Sequence, residues 1–289
     1  MADTAEVDLE TTPDESDARD WSLVLAAAGV PARVEQRASG WAVLVANGDL
    51  GRARAALAEY LADAVATRAP EFEYGPTKAG IAIAAALIAV TPFTGFRGDG
   101  RAVFHAGEGV AARILAGEPW RTVTALMLHA DATHLLGNVL GMGVLATAVC
   151  RLLGPGLGLA LIVLSGATGN FLNAALRGAP HVSVGASTAI FGAVGILAGM
   201  AILRARPPRG RAWVPFAAGL ALLGFLGTGE RADLVAHFLG FQVGIGLGMG
   251  SAVGFSAPPG PRAQRWLAGI TLAVVAGSWL LALTSIPRR

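Results

Sequence analysis

The run Gly185-Ala-Ser-Thr-Ala-Ile-Phe-Gly-Ala-Val-Gly-Ile-Leu-Ala-Gly-Met-Ala-Ile-Leu203 decides the fold. It contains no charged residue, and a helix that crosses a bilayer needs about 20 mostly apolar residues. The run therefore predicts a membrane-spanning helix over 186–204. Ser187, a polar residue, lies at the start of this helix. A polar group beside an apolar stretch is energetically costly, so its presence there needs a chemical explanation.

Six further apolar stretches of similar length follow Lys78. The chain as a whole is 54% hydrophobic and only 15% charged, whereas a soluble domain carries about 25% charged residues. The sequence thus predicts an all-α polytopic membrane protein with seven spans. The six other predicted spans are 78–94, 134–153, 157–176, 213–228, 233–254 and 266–285.

The connection between the first two spans, 95–133, is long and mixed in composition. Its stretch Ala102–Leu115 is amphipathic, which favours an element lying at the membrane interface over a further span.

The residues before the first span differ in composition from the rest. Residues 1–19 are acidic with little apolar surface to bury, which predicts a disordered tail. Residues 20–68 predict a small cytoplasmic α/β domain. Trp21–Gly29 is typical of a helix, Ala32–Glu35 and Trp41–Ala46 of strands, and a second helix is expected after Asp49. We expect an accessory role for this domain, because it holds no catalytic constellation.

Charge and cysteine content exclude several classes of function. A net charge of +2 is too small to favour a nucleic-acid partner, and the single cysteine, Cys150, excludes a disulfide framework and a multi-cysteine metal site. We therefore expect no cofactor, no metal and no nucleic acid. The expected partners are the lipid bilayer and other membrane proteins, and the sequence leaves the oligomeric state open.

The orientation is predicted from the arginines that flank the spans, because cytoplasmic loops carry an excess of Lys and Arg. The 204–211 loop holds four arginines and the 255–265 loop holds two. Both loops are expected on the cytoplasmic side of the cell (inner) membrane, together with the N-terminus. The spans 134–153, 186–204 and 233–254 then all enter the membrane from the outer side.

Four polar residues lie within one or two turns of that outer end, at about 1.5 Å per residue. They are His134, Asn138, Ser187 and His237. Ionisable residues inside a membrane are expensive and mark functional sites by default. Their common depth predicts one site that opens to the outer side.

The chemistry of this set favours nucleophilic catalysis. A serine hydroxyl needs a neighbouring base to accept its proton, and the imidazole of His237 is suited to that role. No carboxylate lies beside His237 to orient the imidazole, since Asp233 is one turn earlier and nearer water, so a Ser–His dyad is more economical than a triad. His134 and Asn138 share a helix face, and backbone N–H groups at the start of the serine helix add further donors for an oxyanion.

Small residues at four-residue intervals predict that two of the spans pack closely. In one span they are Ala236, Gly240, Gly244 and Gly248, and in the other Gly195 and Gly199, with Gly192 nearby. The first set adjoins His237 and the second follows Ser187, so the pattern brings the serine helix and the histidine helix together.

These residues resemble the rhomboid family of intramembrane serine proteases in its bacterial six-plus-one form. The likeness covers roughly 77–254, and 266–285 resembles the additional C-terminal helix, so that 77–285 would be the rhomboid membrane domain. The shared motifs are Glu118-Pro-Trp120-Arg121, His129…His134…Asn138, Gly185-x-Ser187 and Ala236-His237-x-x-Gly240-x-x-x-Gly244.

The resemblance implies a bundle of six core helices plus one, and hydrolysis of peptide bonds in transmembrane segments of substrate proteins. It implies Ser187 as nucleophile and His237 as base. His134 and Asn138 would form the oxyanion site with backbone amides, and His129 would support them. Trp120 and Arg121 would be structural residues of the first loop. Two positions depart from the pattern. Thr188 stands where many members have Gly, and Phe191 where some have a Tyr packed on the catalytic His. Phe191 can still stack on His237, but it lacks the hydroxyl.

The sequence argues against three other interpretations. A catalytically silent rhomboid-like protein that binds transmembrane helices typically lacks the Ser or the His, and this chain has both. A solute transporter predicts symmetry between halves, which the sequence lacks. A metalloprotease would use His129, Asp131 and His134, but their spacing does not align three ligands on one helix, and no HExxH motif occurs.

Overall fold

A computed structural model describes residues 5–67, 73–204 and 233–286. The chain divides into two units, Met1–Glu71 and Phe72–Arg289. The first unit combines a three-stranded sheet with two helices, and the second consists mainly of apolar helices. This division agrees with the predicted small α/β domain followed by a helical membrane bundle.

The first unit contains five elements in the order strand, helix, strand, strand, helix. The sheet is antiparallel, with β3 between β1 and β2. Its core is formed by apolar side chains from the strands and both helices, among them Leu25, Val43 and Leu57. The elements are β1 (Glu6–Thr12), α1 (Glu15–Ala27), β2 (Ala32–Arg37), β3 (Gly40–Ala46) and α2 (Leu50–Thr67).

The disordered tail predicted for residues 1–19 is wrong from Glu6 onward, because β1 pairs with β3 along Glu6–Thr12 and α1 begins at Glu15. Acidic composition hides an inward-facing pattern in this stretch. Leu9 and Thr12 are buried, while the acidic side chains around them stay on the solvent side. Val7 and Leu9 alternate with Glu6, Asp8 and Glu10, which is the period of a strand, and a bulge between Asp8 and Glu10 shifts the register of the pairing.

The second unit contains five helices long and apolar enough to span a membrane, within the described part of the chain. They match five of the predicted spans. A shorter apolar helix, α3 (Ala79–Thr94), matches the predicted span 78–94 and contains Pro92. The predicted span 213–228 lies outside the described residues. The five helices are α7 (Ala132–Leu153), α8 (Pro155–Arg177), α9 (Ser187–Arg204), α10 (Leu234–Gly254) and α11 (Pro261–Thr284).

The centre of the bundle is α9, which packs against α7, α8 and α10. Most of its residues are buried, whereas α7 and α11 leave wide apolar faces uncovered. Leu140, Val144 and Trp266 are examples of large apolar side chains on those faces. Such faces suit contact with lipid, as expected for a multi-pass membrane protein.

The first loop, 95–131, is built from short elements rather than one amphipathic helix. They are a 3₁₀ turn at Arg97–Asp99, α4 (Ala102–Gly107), β4 (Gly109–Val110), α5 (Ala111–Leu115), α6 (Arg121–Thr124) and a second 3₁₀ turn at Ala125–Met127. β4 pairs with β5 (Val182–Ser183), which precedes α9. The loop is thereby bonded to the segment that leads into Ser187.

Backbones of α9 and α10 approach closely along the two predicted stripes of glycine. A Cβ at Gly240, Gly244 or Gly248 would collide with the carbonyl oxygen of Thr188, Gly192 or Ile196, respectively. In the reverse direction, a Cβ at Gly195 or Gly199 would collide with a carbonyl oxygen of α10. The predicted small-residue packing is confirmed, and we call this contact the glycine seam.

The last helix is fixed to the α7–α8 turn by one buried side chain, Gln264. Its Oε1 accepts the N–H groups of Gly156 at 2.7 Å and Leu157 at 2.9 Å, and its Nε2 donates to the Leu153 carbonyl at 2.8 Å. The first N–H groups of a helix have no acceptor within the helix, so Gln264 Oε1 supplies the hydrogen-bond acceptor that the start of α8 lacks.

Replacing Gln264 with leucine is expected to lower the free energy of unfolding by about 1–3 kcal/mol, because buried backbone groups lose their partners. The measurement is thermal unfolding of the purified protein in detergent. Arg265→Leu at the exposed neighbouring position is the control, with an expected change within about 0.5 kcal/mol. Equal stability of the two variants would contradict the anchoring role.

Candidate active site

Ser187 and His237 are brought into contact at the starts of two helices. Ser187 is the first residue of α9, and His237 lies in the first turn of α10. The Nε2 atom of His237 is 2.8 Å from the Oγ atom of Ser187. This distance is typical of a hydrogen bond, and the geometry allows the imidazole to accept the hydroxyl proton.

The imidazole of His237 is held by stacking. The ring of Phe191, one turn into α9, lies parallel to it with a centroid distance of 4.6 Å and an interplanar angle of 27°. The predicted stacking by Phe191 is thus confirmed. Among the described residues, the Nδ1 atom of His237 has no hydrogen-bond partner, so no third side chain there orients the ring as in a triad.

The ring of His134 lies beside Ser187, and Gly185 makes room for it. Gly185 has a φ of +123°, which favours glycine. A Cβ at this position would stand 2.7 Å from His134 Nε2 and 3.5 Å from Ser187 Oγ. Both the backbone conformation and the close approach therefore require glycine here, and they explain the Gly-x-Ser motif.

Asn138 lies one turn below His134 on α7 and is buried. Its Nδ2 donates to the His134 carbonyl at 2.8 Å, while its Oδ1 has no partner among the described residues. The Nδ2 group carries a second N–H, so this side chain can still donate one hydrogen bond to an anion. The oxyanion role of His134 and Asn138 stays a prediction.

His129 supports His134 rather than contacting Ser187. The two imidazole rings meet edge to face with a centroid distance of 5.4 Å. Burial, followed by the nearby His134, lowers the pKa of His129 to about 4, so the ring is neutral at physiological pH. Its backbone bridges to Phe96 at the end of α3. Within residues 5–67, 73–204 and 233–286, no group of three or more His, Cys, Asp or Glu residues is arranged to hold a metal ion.

Arg121 organises the first loop from inside. Its side chain is fully buried, its Nε donates to the Glu118 carboxylate, and its Nη1 donates to the carbonyls of His105 at 3.0 Å and Glu108 at 2.9 Å. The neighbouring Trp120 buries its indole Nε1 without a partner among the described residues. These contacts of Arg121 are all with residues of the first loop, in line with a structural role.

The sequence did not predict a polar cluster around Asp233. Oδ2 of Asp233 lies 2.7 Å from His181 Nε2 and accepts from Asn173 Nδ2 at 2.6 Å and Ser183 Oγ at 3.1 Å. The intramembrane position of Asn173 in the span 157–176 was the available signal, because a buried amide in a span needs a partner.

The carboxyl of Asp233 is stabilised as an anion. Burial by itself would raise its pKa, but the N–H of Ala236, the His181 ring and the Asn173 amide outweigh burial and hold the pKa below its usual range. The carboxylate therefore binds this cluster and caps the start of α10, and it makes no hydrogen bond to the ring of His237.

Comparison with known proteins gives one family. Residues 116–252 match the model of the rhomboid domain. YdcA of Bacillus subtilis, provisionally named a rhomboid protease, is 32% identical over 132 residues, which cover 45% of this chain and 65% of YdcA. Rhomboid protease GluP of the same organism is 40% identical over 84 residues, 29% of this chain and 16% of GluP.

A more distant organism supplies a third match. Rhomboid-like protease 1 of Toxoplasma gondii is 31% identical over 150 residues, 50% of this chain and 51% of that protein. The chain thus covers less than two thirds of each of these three relatives. The predicted site residues all lie inside the segment that matches the rhomboid domain: Trp120, Arg121, His129, His134, Asn138, Ser187 and His237.

Proposed function

Because residues 116–252 are a rhomboid domain and the chain is a rhomboid-family protein, we propose that it is an intramembrane serine endopeptidase in which Ser187 is the nucleophile and His237 its general base. The observation that carries the proposal is the 2.8 Å hydrogen bond between Ser187 Oγ and His237 Nε2. Its substrates are other proteins' transmembrane segments. A substrate helix must unwind locally, since its carbonyl groups are hydrogen-bonded within the helix.

The first chemical step is attack of Ser187 Oγ on the carbonyl carbon of the substrate peptide bond. The Oγ–H proton passes to His237 Nε2, and the carbonyl oxygen becomes an anion. His237 then gives this proton to the departing amine, the C–N bond breaks, and an acyl-enzyme remains. Water attacks the ester with His237 again as base, which releases the acid product and restores the Ser187 hydroxyl.

Stabilisation of the oxyanion is assigned to donors around Ser187. The first N–H groups of α9 have no acceptor within their own helix and lie at the positive end of its dipole. His134 is next to Ser187, and Asn138 lies one turn further along α7. Donors fixed before the reaction stabilise a developing charge by about 3–4 kcal/mol each.

The proposed setting is the cell (inner) membrane with a cytoplasmic N-terminus and a site that opens to the outer side. The arginines near the ends of the spans support this orientation. The starts of α7, α9 and α10 share one end of the bundle because His134, Ser187 and His237 are neighbours. Water therefore enters the site from that end.

The function is tested with the full chain in detergent micelles, exposed to a fluorophosphonate probe. We expect a covalent adduct that peptide mapping assigns to Ser187, together with cleavage of a reporter that contains one transmembrane segment. An adduct confined to other serines, or binding of the reporter without cleavage, would contradict the proposal.

A further inference from the structure

The Asp233 cluster joins three parts of the bundle at one carboxylate. Asn173 belongs to α8, and His181 and Ser183 belong to the segment that leads into Ser187. Asp233 itself precedes α10, and its Oδ1 accepts the Ala236 N–H at 3.2 Å as the N-cap of that helix. Asp233 therefore holds the segment before the nucleophile against the start of the helix that carries the base.

The position of Asp233 couples it directly to His237. Its backbone carbonyl accepts the His237 N–H at 3.0 Å, so the two residues are one turn apart. The glycine seam begins only at Gly240, after His237. The first turn of α10 thus lies beyond the seam glycines, and helix ends lack part of the internal bonding that stiffens a helix.

The segment before Ser187 is fixed on its other side by the first loop. Its backbone bonds are Ala111 N–H to the His181 carbonyl at 3.0 Å and Gly185 N–H to the Ala125 carbonyl at 2.9 Å, together with the β4–β5 pairing. Asp233 supplies the side-chain contacts that join this segment to α10.

We propose that Asp233 is a positioning residue that sets the distance between Ser187 and His237 by binding His181, Ser183 and Asn173. This inference rests on the proposed catalytic roles of Ser187 and His237. Asp233 acts through the backbone of α10 and touches neither the reacting hydroxyl nor the base nitrogen in the contacts described above.

A carboxylate is required because four donors converge on its two oxygens. Asparagine has one acceptor oxygen, and its NH₂ group would face either the Ala236 N–H or the three donors at Oδ2. As a helix cap alone, Asn is about as good as Asp. Asp233→Asn therefore separates the two roles: a cap survives the change, whereas the contacts that hold the segment before Ser187 do not.

The test compares kcat and KM of the full chain in detergent, with a transmembrane reporter. For Asp233→Asn we expect kcat to fall about 10- to 100-fold with KM changed less than about threefold, because misplacing reacting groups by about 1 Å costs up to about 10²-fold. Asp99→Asn is the matched control. Asp99 accepts one backbone N–H, from Phe96 at 2.9 Å, which asparagine can also accept, so unchanged kinetics are expected.

A double-mutant cycle with His181→Ala tests whether the two residues act as a unit. His181→Ala is also expected to lower kcat. In the double variant, the fold reduction in kcat should be smaller than the product of the two single fold reductions. If Asp233→Asn is not recovered folded, His181→Ala alone decides, and a wild-type kcat in that variant overturns the inference.

A spectroscopic measurement keeps this inference apart from the proposed function. In ¹⁵N-histidine NMR, the Nε2 resonance of His237 reports its hydrogen bond to Ser187, and His237→Ala assigns it. Loss of that hydrogen-bond shift in Asp233→Asn supports the inference even if no reporter is cleaved, an outcome that would contradict only the proposed function. An unchanged resonance, or unchanged kcat in an active protein, overturns the positioning role.

Discussion

Replacing either Ser187 or His237 with alanine is expected to lower cleavage of a transmembrane reporter by about 10³-fold or more. In the proposed mechanism, Ser187→Ala removes the atom that forms the acyl-enzyme, and His237→Ala removes the group that accepts and returns the proton. Residues that act as a unit give strongly non-additive losses. The double variant should therefore be no slower than the slower single variant. Initial rates at matched protein concentration measure all three.

Ser251→Ala is the control for these two changes. Ser251 lies on the same helix as His237, is buried, and donates to the Leu247 carbonyl of its own helix at 2.8 Å. Its loss should leave the cleavage rate within about twofold, because a hydroxyl bonded within its own helix contributes little net stability. Cleavage that persists in Ser187→Ala would disprove the nucleophile, and cleavage that persists in His237→Ala would disprove the dyad.

Replacing Gly244 with valine is expected to disrupt the glycine seam and abolish cleavage. A Cβ there would collide with the Gly192 carbonyl oxygen, which belongs to a backbone and cannot move aside by changing rotamer. We expect the free energy of unfolding to fall by about 3 kcal/mol or more, the upper end of overpacking penalties. Thermal unfolding and reporter cleavage in detergent are the measurements.

The matched control is Gly246→Val, two residues further along the same helix. A Cβ at Gly246 meets no atom within 4 Å, so the helix propensity changes equally while the seam is left intact. If Gly244→Val and Gly246→Val have the same free energy of unfolding, α9 and α10 are not held together by backbone contact.

The helical bundle could be predicted because a membrane imposes simple rules on sequence. Length and hydrophobicity located the helices that begin at Ala79, Ala132, Pro155, Ser187, Leu234 and Pro261 to within a few residues. The glycine period located the seam, and Phe191 was expected to stack on His237. These features depend on spacing along one helix, which the sequence displays directly.

The features that escaped prediction depend on contacts between residues distant in sequence. Gln264 bonds to the start of α8 across more than a hundred residues, and Asn173 meets Asp233 across 60. No local period marks such pairs. The strand at Glu6–Thr12 is a different case, because Val7 and Leu9 alternate with acidic residues as in a strand, but the acidic composition of the stretch favoured a disordered tail.

The segment before Ser187 is bonded to the first loop through main-chain atoms at His181, Val182, Ser183 and Gly185. Main-chain hydrogen bonds are the same for nearly every amino acid. The half-buried Val182 and Val184 can therefore be exchanged over evolution without detaching the segment before Ser187 from the first loop. If Ser187 is the nucleophile, as proposed, a scaffold of this kind can acquire a new preference for substrates by altering side chains next to it, while the backbone geometry is inherited unchanged.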